Sequence, residues 1–177
     1  SRAASGVSAL RRFVLGLDRL LGRLEAVLLA AMVAAITAVT FAQVFTRYVT
    51  ASPLIWTEEV ARYLFVWITL IGAAAGVRMH AHFGLDLLRR HAPPMLRTLL
   101  GALTMLIVAA FLSLLFYTGI AETRQASLQF SPALQVRMHW AYLALPVGAA
   151  LALWHVLAHW LRDGIGSHPL DRVEERP

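Results

Sequence analysis

Four apolar runs, at 26–46, 63–77, 98–121 and 138–161, constrain this chain more than any other feature. None contains Asp, Glu or Arg. A helix needs roughly 20 apolar residues to cross the hydrocarbon core of a bilayer. Three runs reach that length, and the second does so by borrowing Val60 and Ala61 from its flank. Lipid offers no partners to backbone N–H and C=O groups, so only helices and closed barrels span it. The runs are continuously apolar rather than alternating, which excludes a barrel. They are too apolar all round to lie on a membrane surface. The expected fold is an all-α integral membrane protein with four transmembrane helices.

Composition agrees with that frame. Only 15% of the 177 residues are charged, against about 25% in soluble domains. The runs leave no stretch long enough for a separate soluble domain. The expected organisation is a basic amphipathic segment at 1–23, a four-helix transmembrane domain at 24–162 and a polar cytoplasmic tail at 163–177. The net charge of +6 comes from sixteen arginines, and topology accounts for them without a nucleic-acid partner. Arg2, Arg11, Arg12, Arg19, Arg23, Arg78, Arg89, Arg90, Arg97, Arg162, Arg172 and Arg176 fall on one side, and Arg47, Arg62, Arg124 and Arg137 on the other. The positive-inside rule then predicts that both termini are cytoplasmic. The first run exceeds a secretory h-region and reads as an uncleaved anchor. There is no cysteine, hence no disulfide, thiolate metal site or cysteine nucleophile.

Local signals refine the plan. Leu10, Phe13, Val14, Leu17, Leu20 and Leu21 recur at helical spacing with Arg11, Arg12 and Arg19 elsewhere on the wheel. This predicts a basic amphipathic helix on the inner leaflet, running into the first span. Pro53 interrupts the first outer connection, and Thr57 before Glu58 and Glu59 resembles a helix start. Leu85, Leu87 and Leu88 against Asp86, Arg89 and Arg90 suggest a short interfacial helix ended by Pro93 and Pro94. Pro146 is expected to kink the fourth span.

Few side chains here point to chemistry. The first three spans hold no ionisable group except tyrosines, whereas a self-sufficient ion-driven carrier needs an intramembrane carboxylate or a broken helix. His139, His155 and His159 sit on the fourth span, and a haem held between helices would need opposing histidines that the other spans lack. Beside Trp154 and Trp160, His155 and His159 read as interfacial anchors. His80 and His82 with Asp86 form at most a weak metal-like pattern, and no metal or cofactor is expected on this chain. Gly72 and Gly76 form a GxxxG pair, Ala30, Ala34 and Ala38 a second small face, and Ala149, Ala150 and Ala152 around Gly148 a third. Such faces let helices approach closely, within the chain or against a partner. Arg47, Glu58, Glu59 and Arg62 gather at the outer ends of the first two spans, with Glu58 and Arg62 spaced to pair. They read as a helix-end lock, or alternatively as a charged patch for a partner outside the cytoplasm.

These residues also occur in a specific order. Phe45-Thr46-Arg47-Tyr48, Pro53, Trp56-Thr57-Glu58-Glu59-Val60-Ala61-Arg62-Tyr63-Leu64-Phe65-Val66-Trp67, Gly72-Ala73-Ala74, Arg78, His82 and Asp86 resemble the small membrane subunit of tripartite ATP-independent periplasmic (TRAP) transporters. The close match covers about 45 residues, and the four-span plan covers nearly all of the chain. His80 departs from the pattern, since it adds a histidine just before the family-like His82. The resemblance implies a subunit of the bacterial inner membrane working with a large membrane subunit and a periplasmic substrate-binding protein. It implies secondary active uptake, commonly sodium-coupled, of organic anions such as carboxylates and sialic acids. Substrate and sodium are expected in the large, elevator-type subunit, and this chain is expected to be a non-catalytic scaffold whose outer loops help dock the binding protein. On that reading the interface or structural network comprises Arg47, Trp56, Glu58, Glu59, Arg62, Gly72, Gly76, Arg78, His82 and Asp86. The residues also admit two alternatives, a haem-binding membrane anchor of a redox complex and a small autonomous carrier.

Overall fold

The computed structural model describes residues 2–52, 54–79 and 93–163. They form four long helices and one short one: α1 (Arg2–Tyr48), α2 (Ile55–Arg78), α3 (Pro94–Ala126), α4 (His139–Tyr142) and α5 (Ala144–Asp163). Each apolar run lies in one long helix except the fourth, which α4 and α5 share. Four helical segments are long and apolar enough to cross a membrane, so the all-α, four-span architecture holds.

The helix boundaries follow local chemistry. α1 runs 47 residues without interruption, or about 70 Å at 1.5 Å per residue. The basic N-terminal stretch therefore continues the first span as one rod, with no break near residue 24. α2 starts at Ile55 after an extended Leu54, two residues before the Thr57 signal. Thr57 lies fully buried in the first turn, where its hydroxyl donates back to the Leu54 carbonyl at 2.6 Å. Pro93 is extended and Pro94 occupies the first turn of α3. A proline there loses no helix hydrogen bond and presets φ, so this pair opens α3. The interfacial helix expected at 85–90, with His80, His82 and Asp86, lies outside the described residues. Leu143 separates α4 from α5, three residues before Pro146. Proline has no N–H for the Tyr142 carbonyl and its ring crowds it, which interrupts the helical hydrogen-bond ladder there.

Helix α5 is the centre of the bundle. It packs against α1, α2 and α3; α1 also packs along α2, whereas among the described helices α3 contacts only α4 and α5. Nearly half of the α4–α5 span is buried, far more than of any other span. Small residues make this possible. A Cβ on Gly148 would sit 2.9 Å from the Leu70 Cβ and 3.1 Å from the Leu70 carbonyl oxygen. One on Gly119 would lie 3.0 Å from Leu145 and Pro146. Ala74, Leu112 and Ala152 close the core between α2, α3 and α5.

Only part of the small-residue inventory is used this way. The Gly72 Cβ position is 4.0 Å from Leu29, and Gly76 has nothing within 4 Å. Ala30, Ala34 and Ala38 are exposed. Much of α1 and α3 also presents large apolar side chains outward, among them Phe41, Phe45, Leu106 and Phe111. Without water-facing polarity there, these surfaces suit lipid or a membrane partner.

Candidate functional site

Two polar locks hold the bundle, one at each end. The first is built on Glu59, whose side chain α2 turns inward one turn after its start. Glu59 is buried. Its Oε2 accepts the backbone N–H groups of Ala133 and Leu134, each at 3.0 Å. Its Oε1 accepts the Tyr63 hydroxyl one turn along the helix. The two amides belong to the α3–α4 connection, which folds back on itself. There the Ser131 N–H donates to the Val136 carbonyl at 2.8 Å and the Met138 N–H to the Gln129 carbonyl at 3.0 Å. Gln135 takes a positive φ of 54° at the turn, and its side-chain amide donates to the Pro132 carbonyl at 2.9 Å. Successive amides pointing to one spot form an anion cradle, and the carboxylate of Glu59 fills it. Trp67 adds a second tie, its indole N–H donating to the Trp140 carbonyl at 3.1 Å.

The opposite end is held by His155 of α5, placed between two carboxylates of α1. Its Nδ1 is 2.6 Å from Asp18 Oδ1 and its Nε2 is 2.9 Å from Glu25 Oε1. The His155 side chain is fully buried, and Glu25 nearly so. Each ring nitrogen thus has one carboxylate oxygen within hydrogen-bond distance. Asp18, Gly22 and Glu25 share one face of α1, and the Arg78 guanidinium at the end of α2 lies over Gly22, where it occupies the space of a Cβ. Two turns further along, Arg11 donates to the Leu161 and Arg162 carbonyls at 3.0 and 2.8 Å. It thereby satisfies terminal carbonyls of α5 that have no partner within the helix.

The residues expected to form the network divide among several places. Glu58 and Arg62 pair at 2.9 Å, and both are largely exposed. Glu59 faces the other way, into the connection. Arg47 is exposed at the end of α1, and among the described residues no ion pair joins it to Glu58 or Glu59. Trp56 is partly exposed at the start of α2. Gly72 and Gly76 are half-buried on α2 with room for a methyl group at each, Arg78 belongs to the His155 lock, and His82 and Asp86 lie outside the described residues. The interfacial-anchor reading fails for His155, which is buried and carries a carboxylate on each nitrogen. That same engagement leaves neither nitrogen for haem. Trp160, by contrast, is exposed as an anchor would be.

Sequence reasoning missed the inner lock and the Glu59 cradle. The available signal was Asp18 and Glu25, two acids seven residues apart on one face of an otherwise basic segment. Nothing local marks Ala133 and Leu134, whose part is played by backbone N–H groups alone.

Comparison with known proteins places this arrangement. Residues 36–164 match the family described as tripartite ATP-independent periplasmic transporters, DctQ component. The chain is 30% identical over 158 residues to the C4-dicarboxylate TRAP transporter small permease protein DctQ of Vibrio cholerae, covering 76% of this chain and 68% of that protein. It is 31% identical over 137 residues to the sialic acid TRAP transporter permease protein SiaT of Haemophilus influenzae, covering 77% of this chain but 22% of that protein. It is 26% identical over 132 residues to the isethionate TRAP transporter permease protein DctMQ of Oleidesulfovibrio alaskensis, covering 70% of this chain and 21% of that protein. In those two longer relatives the chain thus spans about a fifth of the length. A four-span bundle matched over most of its length in this way belongs to the DctQ family of TRAP transporter small membrane subunits.

Proposed function

We propose that this chain is the stationary scaffold of a secondary active uptake transporter in the bacterial inner membrane, with both termini cytoplasmic. The partner is a large, elevator-type membrane subunit that holds the substrate and the coupling sodium. The substrate class is a small organic anion, in line with the C4-dicarboxylate and sialic acid named for similar proteins. The two longer relatives, which carry a small-subunit-like region in a much larger permease, support a partner in continuous contact with this chain. This chain catalyses nothing and binds no cofactor of its own, and its outer connections help dock a periplasmic substrate-binding protein.

One observation carries the scaffold reading. The described buried ionisable side chains each tie one element to another: Glu59 joins the start of α2 to the α3–α4 connection, and Glu25, with the partly buried Asp18, joins α1 to His155 of α5. A moving carrier needs ionisable groups or unwound helix at mid-depth. A scaffold needs helix-to-helix locks and an outward apolar surface.

The test is uptake into proteoliposomes holding the large subunit with or without this chain, under an imposed sodium gradient. Full uptake by the large subunit alone would overturn the scaffold reading. With both subunits present, Glu59→Ala should lower the rate and leave the ranking of competing anions unchanged. An altered ranking would place this chain in the substrate path instead.

A further inference from the structure

The first half of α1 shows three distinct stripes. The buried one is Asp18, Gly22 and Glu25, turned toward α5 and α2 by the inner lock. Arg12, Arg19 and Arg23 form a second stripe, roughly 120° away on a 3.6-residue wheel, and all three are exposed. Phe13, Leu20 and Leu24 form a third beside it, 67%, 53% and 58% exposed. Basic and apolar stripes therefore lie side by side on the outer surface, and the buried lock prevents α1 from rotating to hide either one.

Helix length sets where this surface lies. The apolar run 26–46 is long enough to cross the hydrocarbon core, and residues 11–25 add about 22 Å of helix at 1.5 Å per residue. They run alongside the end of α5, since Arg11 reaches the Leu161 and Arg162 carbonyls. The end of α5 is also the end of the fourth apolar run, so this stretch crosses the boundary between hydrocarbon core and headgroups, where Phe and Leu enter the acyl region and arginines meet phosphates.

We propose that this face of α1 is a binding site for anionic phospholipid, with Arg19 and Arg23 contacting the headgroup phosphate and Phe13, Leu20 and Leu24 the acyl chains. Charge complementarity selects the occupant: a zwitterionic lipid gives the arginine stripe no net attraction, and an apolar protein surface leaves it unmatched. The inference rests on the geometry of α1 and is independent of which solute is transported.

The test uses the full chain, in the complex purified from its native membrane. Native mass spectrometry after equilibration with a mixture of phosphatidylglycerol and phosphatidylcholine reads which lipid is retained. Each arginine near an anionic surface contributes roughly fivefold, so Arg19→Gln with Arg23→Gln should lower phosphatidylglycerol retention roughly 25-fold. Arg124→Gln, exposed at the far end of α3, should leave it unchanged. Equal retention by wild type and the double variant would overturn the proposal. A photocrosslinker replacing Leu20 separates lipid from protein occupancy. Adducts of phospholipid mass support the site, and adducts of a protein subunit overturn it.

Discussion

His155 illustrates how strongly one side chain can depend on its neighbours. Two carboxylates meet one imidazole in a buried place, so removing the ring strands both. Leaving a buried polar group without its partner typically costs about 1–3 kcal/mol, and more when the group is charged. With two carboxylates stranded, His155→Leu should destabilise the chain by about 3 kcal/mol, measured as loss of folded protein in a detergent thermal-stability assay. The triple variant His155→Leu, Asp18→Asn, Glu25→Gln should recover much of that loss, because no buried charge remains. The glycines offer a complementary contrast. Gly148→Ala forces a methyl group against Leu70, and such overpacking costs about 1–3 kcal/mol. Gly76→Ala meets open space and should leave the stability of the isolated chain unchanged. If it nevertheless weakens co-purification of the large subunit, the GxxxG face is where that partner approaches.

At the scale of elements, the α3–α4 connection is a loop ordered by a distant helix. Its own hydrogen bonds make a turn, but Glu59 of α2 orients that turn against the bundle. Glu59→Ala should release it without unfolding the helices. Local opening governs access for a protease, so trypsin cleavage after Arg137 should accelerate on the order of tenfold. Glu59→Gln, which keeps an acceptor for the amides and a donor for Tyr63, should show a smaller effect. The exposed Glu58–Arg62 pair is a different matter, since exposed ion pairs contribute little to stability. A loss of uptake in Arg62→Ala with normal chain stability would place that pair at a partner surface.

At the scale of the molecule, α5 gathers α1, α2 and α3 around itself and leaves the outer faces of α1 and α3 apolar. Orientation is directly testable because the chain has no cysteine, so any introduced one is a unique label. With cytoplasmic termini, Gln129→Cys should react with a membrane-impermeant maleimide added to intact spheroplasts. A cysteine at Arg12 should react only after the membrane is opened. The reverse pattern would invert the topology and with it the assignment of inner and outer locks.

The sequence by itself determined the four spans and the helical class, because a bilayer imposes length and hydrophobicity on each segment independently of its neighbours. It also determined the family, since the ordered residues from Phe45 to Trp67 are a local string. Even the Glu58–Arg62 pair was readable from spacing along one helix. Only the tertiary structure decided which small faces are used, why Glu59 and Glu58 have different roles, and that His155 is a buried partner of Asp18 and Glu25. Those outcomes depend on contacts between residues 74 to 137 positions apart. No periodicity within a helix encodes which other helix lies beside it, or at what depth their polar groups coincide.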